Sequence, residues 1–375
     1  MLVDCPLGVN LPAFRKPMPP PADKPTRYRV EALRNFAREL TAHSGMRADI
    51  ARDLADVLLD ADLLGHTTHG LGLLSPYLEE IAEGRMAKEG EPKVRSRRAA
   101  AETWDGERLP GPWLTLRAID RAAAMARECG TGTVVIRRSH HIACLAAYLR
   151  RATDQGLIAM IESSDPTVTA VVPHGGITPF ITPNPVAAGL PTSGDPIMID
   201  VSTSITSMGY AHQERLAGRS LPGPWLIDAE GNATADPNVL IGESKGALLP
   251  LGGLDAGHKG FALSLLIEAL TAGLAGYGRV DSPSGWGATV FVQVLDPEAF
   301  GGLAAFKRQM DALVDAAHNS KPRPGVDRVR LPGERGLQRF REQTAHGVAL
   351  YPTIMPALAV WAAKYGVPIP AAIDA

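Results

Sequence analysis

The chain has 375 residues, enough for two or three domains, and its 45 % apolar and 21 % charged content is that of a folded globular protein rather than a disordered one. A net charge of −2 with no Lys/Arg run longer than two excludes nucleic acid as the main partner, because neutralising phosphates takes clustered cations. Cys5, Cys129 and Cys144 form no pair at metal or redox spacing; this excludes a disulfide scaffold, fits a reducing cytoplasm and reads each as a small buried hydrophobe.

Residues 1–27 contain Pro-Met-Pro-Pro-Pro and several charges but no apolar stretch of a secretory signal, and read as a Pro-rich N-terminal extension. Helical periodicity follows over Val30–Ala42, Asp49–Leu64 and Ser75–Ala82, with the polar loop 65–70 embedded between the last two. From about residue 95 the period changes. Ala100–Trp104 reads as a strand, and Pro112–Cys129 as a helix with proline near its first turn and Gly130 just past its end. Thr133–Arg137 is a strand, Ala143–Ala152 a helix and Leu157–Glu162 a strand. Pro185–Leu190 and Ile197–Val201 add strands around a Pro/Gly-punctuated stretch.

A long helix runs from about Gly257 to Leu274, apolar on all sides and therefore expected to be buried. Its apolar run Phe261–Ala275 carries Glu268 and is too short to span a bilayer comfortably. Ala288–Leu295 is a further strand, and helices Gly302–His318, Glu334–Gln343 and Thr353–Tyr365 close the chain. The expected organisation is an α/β fold. A helical region over 28–94 precedes a central mixed-sheet domain over 95–300, and a helical region over 301–375 packs back on the first.

No Gly-x-Gly-x-x-Gly follows any strand, so the common dinucleotide fingerprint is absent, as are a P-loop, a Gly-x-Ser-x-Gly elbow and His-Glu-x-x-His. What the chain offers instead is the strand Thr133–Arg137 running into His140 and His141. Imidazole is the side chain suited to exchanging protons near neutrality. His66-Thr-Thr-His69-Gly70 packs hydroxyls and imidazoles into one turn, fit to hold a small polar ligand, although a helix cap would use the same residues. No carboxylate or thiol completes a zinc site among His66, His69, His140 and His141, and no metal is expected.

Glu162-Ser-Ser-Asp-Pro166 and Ile199-Asp-Val-Ser-Thr-Ser204 stand at strand ends, where α/β sheets bind ligands, and both also suit turns and caps. Leu249–Gly260 is a Gly-rich loop feeding the apolar helix, with Lys259 in the first turn. Backbone N–H groups, helix dipole and lysine together make an anion cradle.

In this order, Ala61-Asp-Leu-Leu-Gly-His-Thr-Thr-His-Gly70, Ser139-His-His141, Glu162-Ser-Ser-Asp-Pro166, Val172-Pro-His-Gly-Gly176, Asn184-Pro185, Ile199-Asp-Val-Ser-Thr-Ser204, Gly257-His-Lys-Gly260 and Leu331-Pro-Gly-Glu-Arg335 resemble the malate/L-lactate dehydrogenase family of NAD(P)-dependent oxidoreductases. The resemblance covers roughly residues 28–350. This non-Rossmann family includes ureidoglycolate, sulfolactate and diketogulonate oxidoreductases and the cyclic ketimine reductases.

The resemblance implies a central NAD(P)-binding sheet domain, a homodimer with substrate and cofactor near the subunit interface, and hydride exchange between nicotinamide and a 2-oxo or 2-hydroxy acid. His141 falls on the family's proton donor, with His69 and Thr68 beside it in the catalytic turn. His66, Thr68, His69, His140 and Asn184 fall on the substrate pocket. Ser164, Asp200, Val201, Ser202, Lys259, Gly333, Glu334 and Arg335 fall on contacts to NAD or NADP.

The family arginine suited to clamp a substrate carboxylate is Leu73 here, and another frequent family arginine is Leu64, which leaves Arg138, His66 or a residue of a second subunit to meet an anion. Reduction of a cyclic 2-imino acid and a catalytically silent nucleotide-binding paralogue are the alternatives.

Overall fold

The computed structural model describes residues 26–242 and 245–373. The Pro-rich extension lies outside them up to residue 25, and Arg27 already belongs to a strand. That strand, β1 (Arg27–Tyr28), leads into α1 (Val30–His43), α2 (Ala48–Leu64) and α3 (Leu74–Ala82). The next elements are β2 (Lys93–Arg98), β3 (Ala101–Asp105), α4 (Gly111–Cys129), β4 (Thr131–Ser139), α5 (Ala146–Thr153), β5 (Ile158–Ser164), β6 (Pro185–Leu190) and β7 (Ile197–Ser202). They are followed by α6 (Met208–Leu216), the short strands β8 (Leu226–Ile227), β9 (Ala233–Thr234) and β10 (Ala247–Leu248), α7 (Gly253–Glu268), and β11 (Ala288–Leu295). The chain closes with α8 (Leu303–His318), α9 (Glu334–His346), β12 (Val348–Ala349), α10 (Ile354–Tyr365) and β13 (Ala372–Ile373).

Seven strands form the central sheet in the order β2-β3-β4-β11-β5-β6-β7. Only β3 and β4 run parallel, joined by the crossover helix α4; every other neighbouring pair is antiparallel. This is a mixed sheet, not the parallel array of a doubly wound nucleotide fold, in keeping with the missing glycine fingerprint. The charged edge strand β2, exposed along its whole length, carries no apolar alternation and escapes a pattern reading.

One apolar core joins α1 to α5 with one face of the sheet. α9 packs on α2, and α10 on α1 and α3, so Leu337, Leu358 and Trp361 enter the same core. A second, smaller core gathers Ala170, Val171, Ile181, Leu226 and Leu248 around the sheet β8–β10, with Ala211 of α6. No helix among the described residues is long and apolar enough to cross a membrane.

The apolar helix departs from expectation in two ways. It begins at Gly253 and passes at Ala269–Gly273 into a single π-helical turn. It is also not buried: Leu254, Leu263, Leu265, Leu266 and Leu274 are each about half exposed in the single chain. By contrast, α10, the apolar C-terminal helix, buries Ile354, Leu358 and Trp361 internally.

The close packing of β4 on α4 depends on Gly132, where a β-carbon would overlap the Ala122 carbonyl of α4. Gly132→Ala should cost about 1–3 kcal/mol, the usual range for overpacking a filled interior, read as a lower urea midpoint at unchanged slope.

Candidate active site

Helix α2 ends at Gly65 in the left-handed region (φ 88°). Gly65 N–H donates to Asp62 O and His66 N–H to Ala61 O, the paired bonds of a Schellman motif. This stop throws His66, Thr67, Thr68 and His69 into a tight turn. Asp62 pins the far side, its Oδ2 accepting from Leu71 N–H at 2.7 Å. Gly70 has no room for a β-carbon against that carboxylate. Full burial pushes the Asp62 carboxyl up to about 7.

Strand β4 approaches this turn from the sheet and releases His140 and His141. Gly111, opening α4, lies so close to the His140 and His141 carbonyl oxygens that a β-carbon would overlap both. His140 is fully buried, with Nε2 3.3 Å from Glu80 Oε2. His141 is only partly buried. Its Nδ1 lies 2.7 Å from the Tyr77 hydroxyl, which also donates to the His141 carbonyl at 3.3 Å. Its ring stacks on Trp286, with centroids 4.6 Å apart at 25°, and its centroid is 6.0 Å from that of His69. His69 Nδ1 is held 2.8 Å from Thr68 Oγ1.

Burial, reinforced by the neighbouring His69 and His140 rings, holds the His141 imidazole well below its ordinary value. Burial and the His66 ring bring His69 down to about 4. Burial also lowers His140, against the pull of Glu80. At neutral pH these three rings are uncharged bases rather than cations. Burial raises the Tyr77 phenol well above its normal value, so it stays protonated.

His66, near enough to His69 to act on its charge, also belongs to a second group. It shares a separate cluster with Cys144 and Asp200, whose donor atoms all lie within 4.8 Å of one another. Asp200, at the C-terminal end of β7, accepts from Ala146 N–H at 2.8 Å and from Cys144 Sγ at 3.7 Å. This ties Asp200, Val201 and Ser202 to the loop that follows His141. Gly333, Glu334 and Arg335 begin α9, and Met198 of the same β7 donates to Pro332 O at 3.1 Å.

Three side chains expected to touch ligands are revised by their burial. His140 is committed to Glu80. Ser164 is committed to Thr271 and Thr289 at 3.0 and 2.8 Å. Asn184 is fully buried against Thr182, the Ser264 carbonyl and Glu268. Such groups can position a site but do not face it. Arg138 is likewise not available to an anion, since Asp105 and Glu107 engage its guanidinium. Lys259 is exposed, and no contact among the described residues links it to the His69–His141 group. Tyr77, Trp286 and Cys144 were missed as parts of the site. Tyr77 and Trp286 reach His141 from distant segments with no local pattern, and Cys144 read as a plain core residue.

The family model for malate/L-lactate dehydrogenase matches residues 28–359. The chain belongs to the malate/L-lactate dehydrogenase family. It is 32 % identical to the L-lactate dehydrogenase of Cupriavidus necator over 92 % of this chain and 99 % of that one. It is 31 % identical to a Delta(1)-pyrroline-2-carboxylate/Delta(1)-piperideine-2-carboxylate reductase of Pseudomonas syringae pv. tomato, over 88 % of this chain and 94 % of that one. The crystal structure of malate dehydrogenase from Entamoeba histolytica shares the fold, with a TM-score of 0.88 at 24 % identity, covering 93 % of this chain and all of the other. The protein is therefore an enzyme, a dehydrogenase or reductase of a family that works with nicotinamide coenzymes.

The Tyr77 hydroxyl meets His141 at both its Nδ1 and its carbonyl, beside the Ala143 backbone. Tyr77→Phe should lower kcat about two- to tenfold, the value of one neutral hydrogen bond of about 0.5–1.5 kcal/mol, with little change in KM. Steady-state kinetics at saturating coenzyme reads the split.

Proposed function

We propose that the enzyme exchanges a hydride between NAD(P) and a 2-oxo or 2-hydroxy acid, with His141 moving the proton at the substrate oxygen. The carrying observation is the His141 ring itself, stacked on Trp286, held at Nδ1 by Tyr77 and 6.0 Å from His69. The Tyr77 hydroxyl at 2.7 Å and the Ala143 N–H at 3.4 Å both meet the ring at Nδ1. Nδ1 is thus committed to the protein, and in our reading Nε2 is the nitrogen that gives and takes the proton. Bound nicotinamide supplies or takes the hydride.

The chain also fits such a coenzyme. Asp200 and Ser202 at the end of β7, the Gly333–Arg335 start of α9 and the loop after His141 converge from three segments. Between β7 and α9 lies a cavity of about 720 Å³, of the size ligand sites have. These residues hold the nucleotide in our reading, with His69, Thr68 and His66 lining the substrate side.

Leu64 is buried, and no arginine replaces it in sequence. Arg339 of α9 does approach the loop, its Nη1 2.6 Å from where a Gly65 β-carbon would stand, with no ion pair among the described residues. We assign the substrate carboxylate to it. The apolar Leu64 and Leu73 and the Trp286 wall favour a second reading, reduction of a cyclic 2-imino acid, as in the relative from Pseudomonas syringae. Oxidation of NADH and NADPH against a panel of 2-oxo acids and cyclic 2-imino acids separates the two, and turnover of neither class rejects both.

The assembly we propose is a homodimer covering the leucine face of α7, with exposed Lys259 at the margin of that face, where a second copy would bring it to a shared site. Light scattering should give twice the 39.7 kDa chain mass at micromolar concentration; a monomer rejects the assembly.

His141→Ala should lower kcat about 10²–10⁴-fold, the general acid–base range, while coenzyme affinity by fluorescence titration stays the same. Because burial and the neighbouring imidazoles hold the free-enzyme imidazole well below its ordinary value, its protonated, donating form is scarce at neutral pH. Reductive kcat/KM should therefore keep rising as pH falls from 8 through 6.5, while oxidative kcat/KM stays level above it. A reductive profile flat over that range contradicts the assignment.

A further inference from the structure

The cavity between β7 and α9 has a charge pattern that the reading above does not use. Its wall is made by the loop 192–197, by α8 and by the start of α9. It continues the line of the proposed nucleotide site. Asp200 touches Ala146 beside the His141 loop, and Ile197, three residues back along the same strand, lines the cavity. At about 3.3 Å per residue that is about 10 Å of travel, a fitting separation between the nicotinamide end and the adenosine end of an extended dinucleotide.

Four carboxylates line it: Asp195, Asp311, Asp315 and Glu334. Each of its three basic groups already faces a carboxylate. Arg341 Nη1 lies 2.9 Å from Asp195 Oδ2. His318 Nε2 bonds Glu334 Oε1, and Arg328 Nη2 lies 3.7 Å from Glu334 Oε2. Asp311 accepts from Ser193 N–H and Oγ at 2.9 and 2.6 Å, which holds its carboxyl below the usual range. The Asp315 carboxylate has no partner among the described residues and faces the same space.

We propose that this cavity receives the adenosine half of the coenzyme and that its carboxylates select NAD(H) over NADP(H). The proposal rests on the nucleotide reading above. A ribose 2′,3′-diol presents two O–H donors, and carboxylates are pure acceptors. A 2′-phosphate brings about two negative charges at neutral pH. Among the groups lining the cavity it would meet an unpaired Asp315 and three basic groups that each already face a carboxylate. In dinucleotide folds at large, an acidic residue marks the ribose diol and an arginine the 2′-phosphate. Of the four, Glu334 alone stands in a motif; Asp195, Asp311 and Asp315 come from two further segments with no pattern of their own.

The test is a titration of the intact enzyme with NADH and NADPH at one fixed salt concentration, followed by quenching of tryptophan emission. 5′-AMP and 2′,5′-ADP are titrated in parallel by calorimetry. NADH should bind at least tenfold more tightly than NADPH, and 5′-AMP more tightly than 2′,5′-ADP. Asp315→Arg should narrow or invert both ratios, and Asp315→Asn, an isosteric change on an exposed helix face, should narrow them in the same direction. Equal or tighter binding of NADPH overturns the selection while leaving the nucleotide site intact. Ratios unmoved by both Asp315 variants overturn the placement of the adenosine. Failure of every one of the four probes to bind overturns the nucleotide reading itself, and the proposal with it.

Discussion

The site depends on a steric constraint: the backbone around His140 and His141 is clamped with no side chain in between. Gly106 packs on the Arg138 carbonyl and Ser139 Cα, and Gly111 on the two histidine carbonyls, while Gly132 seats the strand on α4. The clamped segment is bounded by two non-glycine residues of positive φ, Arg138 at 51° and Ala143 at 56°. Conformations of this kind cost about 1–3 kcal/mol each and persist only where the surroundings insist on them. Here the insistence is visible. Asp105 and Glu107 grip the Arg138 guanidinium on one side, and Ala146 N–H and Asp200 fix the chain on the other. The imidazole that results is a rigid part of the scaffold, the condition for holding a reacting group to within fractions of an ångström.

That rigidity has an electrostatic counterpart. A histidine between an indole and a buried phenol, next to two further imidazoles, loses hydration and gains no carboxylate of its own. The carboxylate in the neighbourhood, Glu80, is given to His140 and Arg85 instead. The fold thus gives its carboxylate to the ring that stays inside and leaves the accessible ring without one. A neutral ring can approach an anionic substrate without first being desolvated as a charge.

Local pattern carried much of the fold. Pro185–Leu190 and Ala288–Leu295 were legible to the residue because short β-branched and small-residue runs between turn signals have few other uses. The α4 boundaries followed from Pro112 and Gly130. What local pattern could not carry was anything set by tertiary contact. The edge strand Lys93–Arg98 has no buried face to betray it, and Met208–Leu216 is only weakly amphipathic. Ala143–Leu145 reads as helix by composition, yet Ala143 is left-handed and α5 starts only at Ala146.

The site divides in the same way. His69 and His141 stood out by residue type and do come together. Asn184 and Ser164 stood out equally and are buried, because a polar side chain at a strand end looks alike whether it faces a ligand or a neighbouring helix. The approach of Tyr77 and Trp286 to His141 is a property of topology. β11, which follows Trp286, inserts beside β4, and no spacing along the chain announces it.

The leucines left in water along α7 bear on how the protein lives outside the test tube. An uncovered strip of that kind is sticky to anything apolar, so a newly made chain is in a race between finding its proper cover and finding a wrong one. Whatever covers the strip adds stability only by mass action. Dilution, low expression or a shortage of the covering surface would each weaken the enzyme without altering an atom of its catalytic machinery. Polar substitutions at the exposed leucines of α7 would then surface as loss of protein abundance rather than as loss of chemistry.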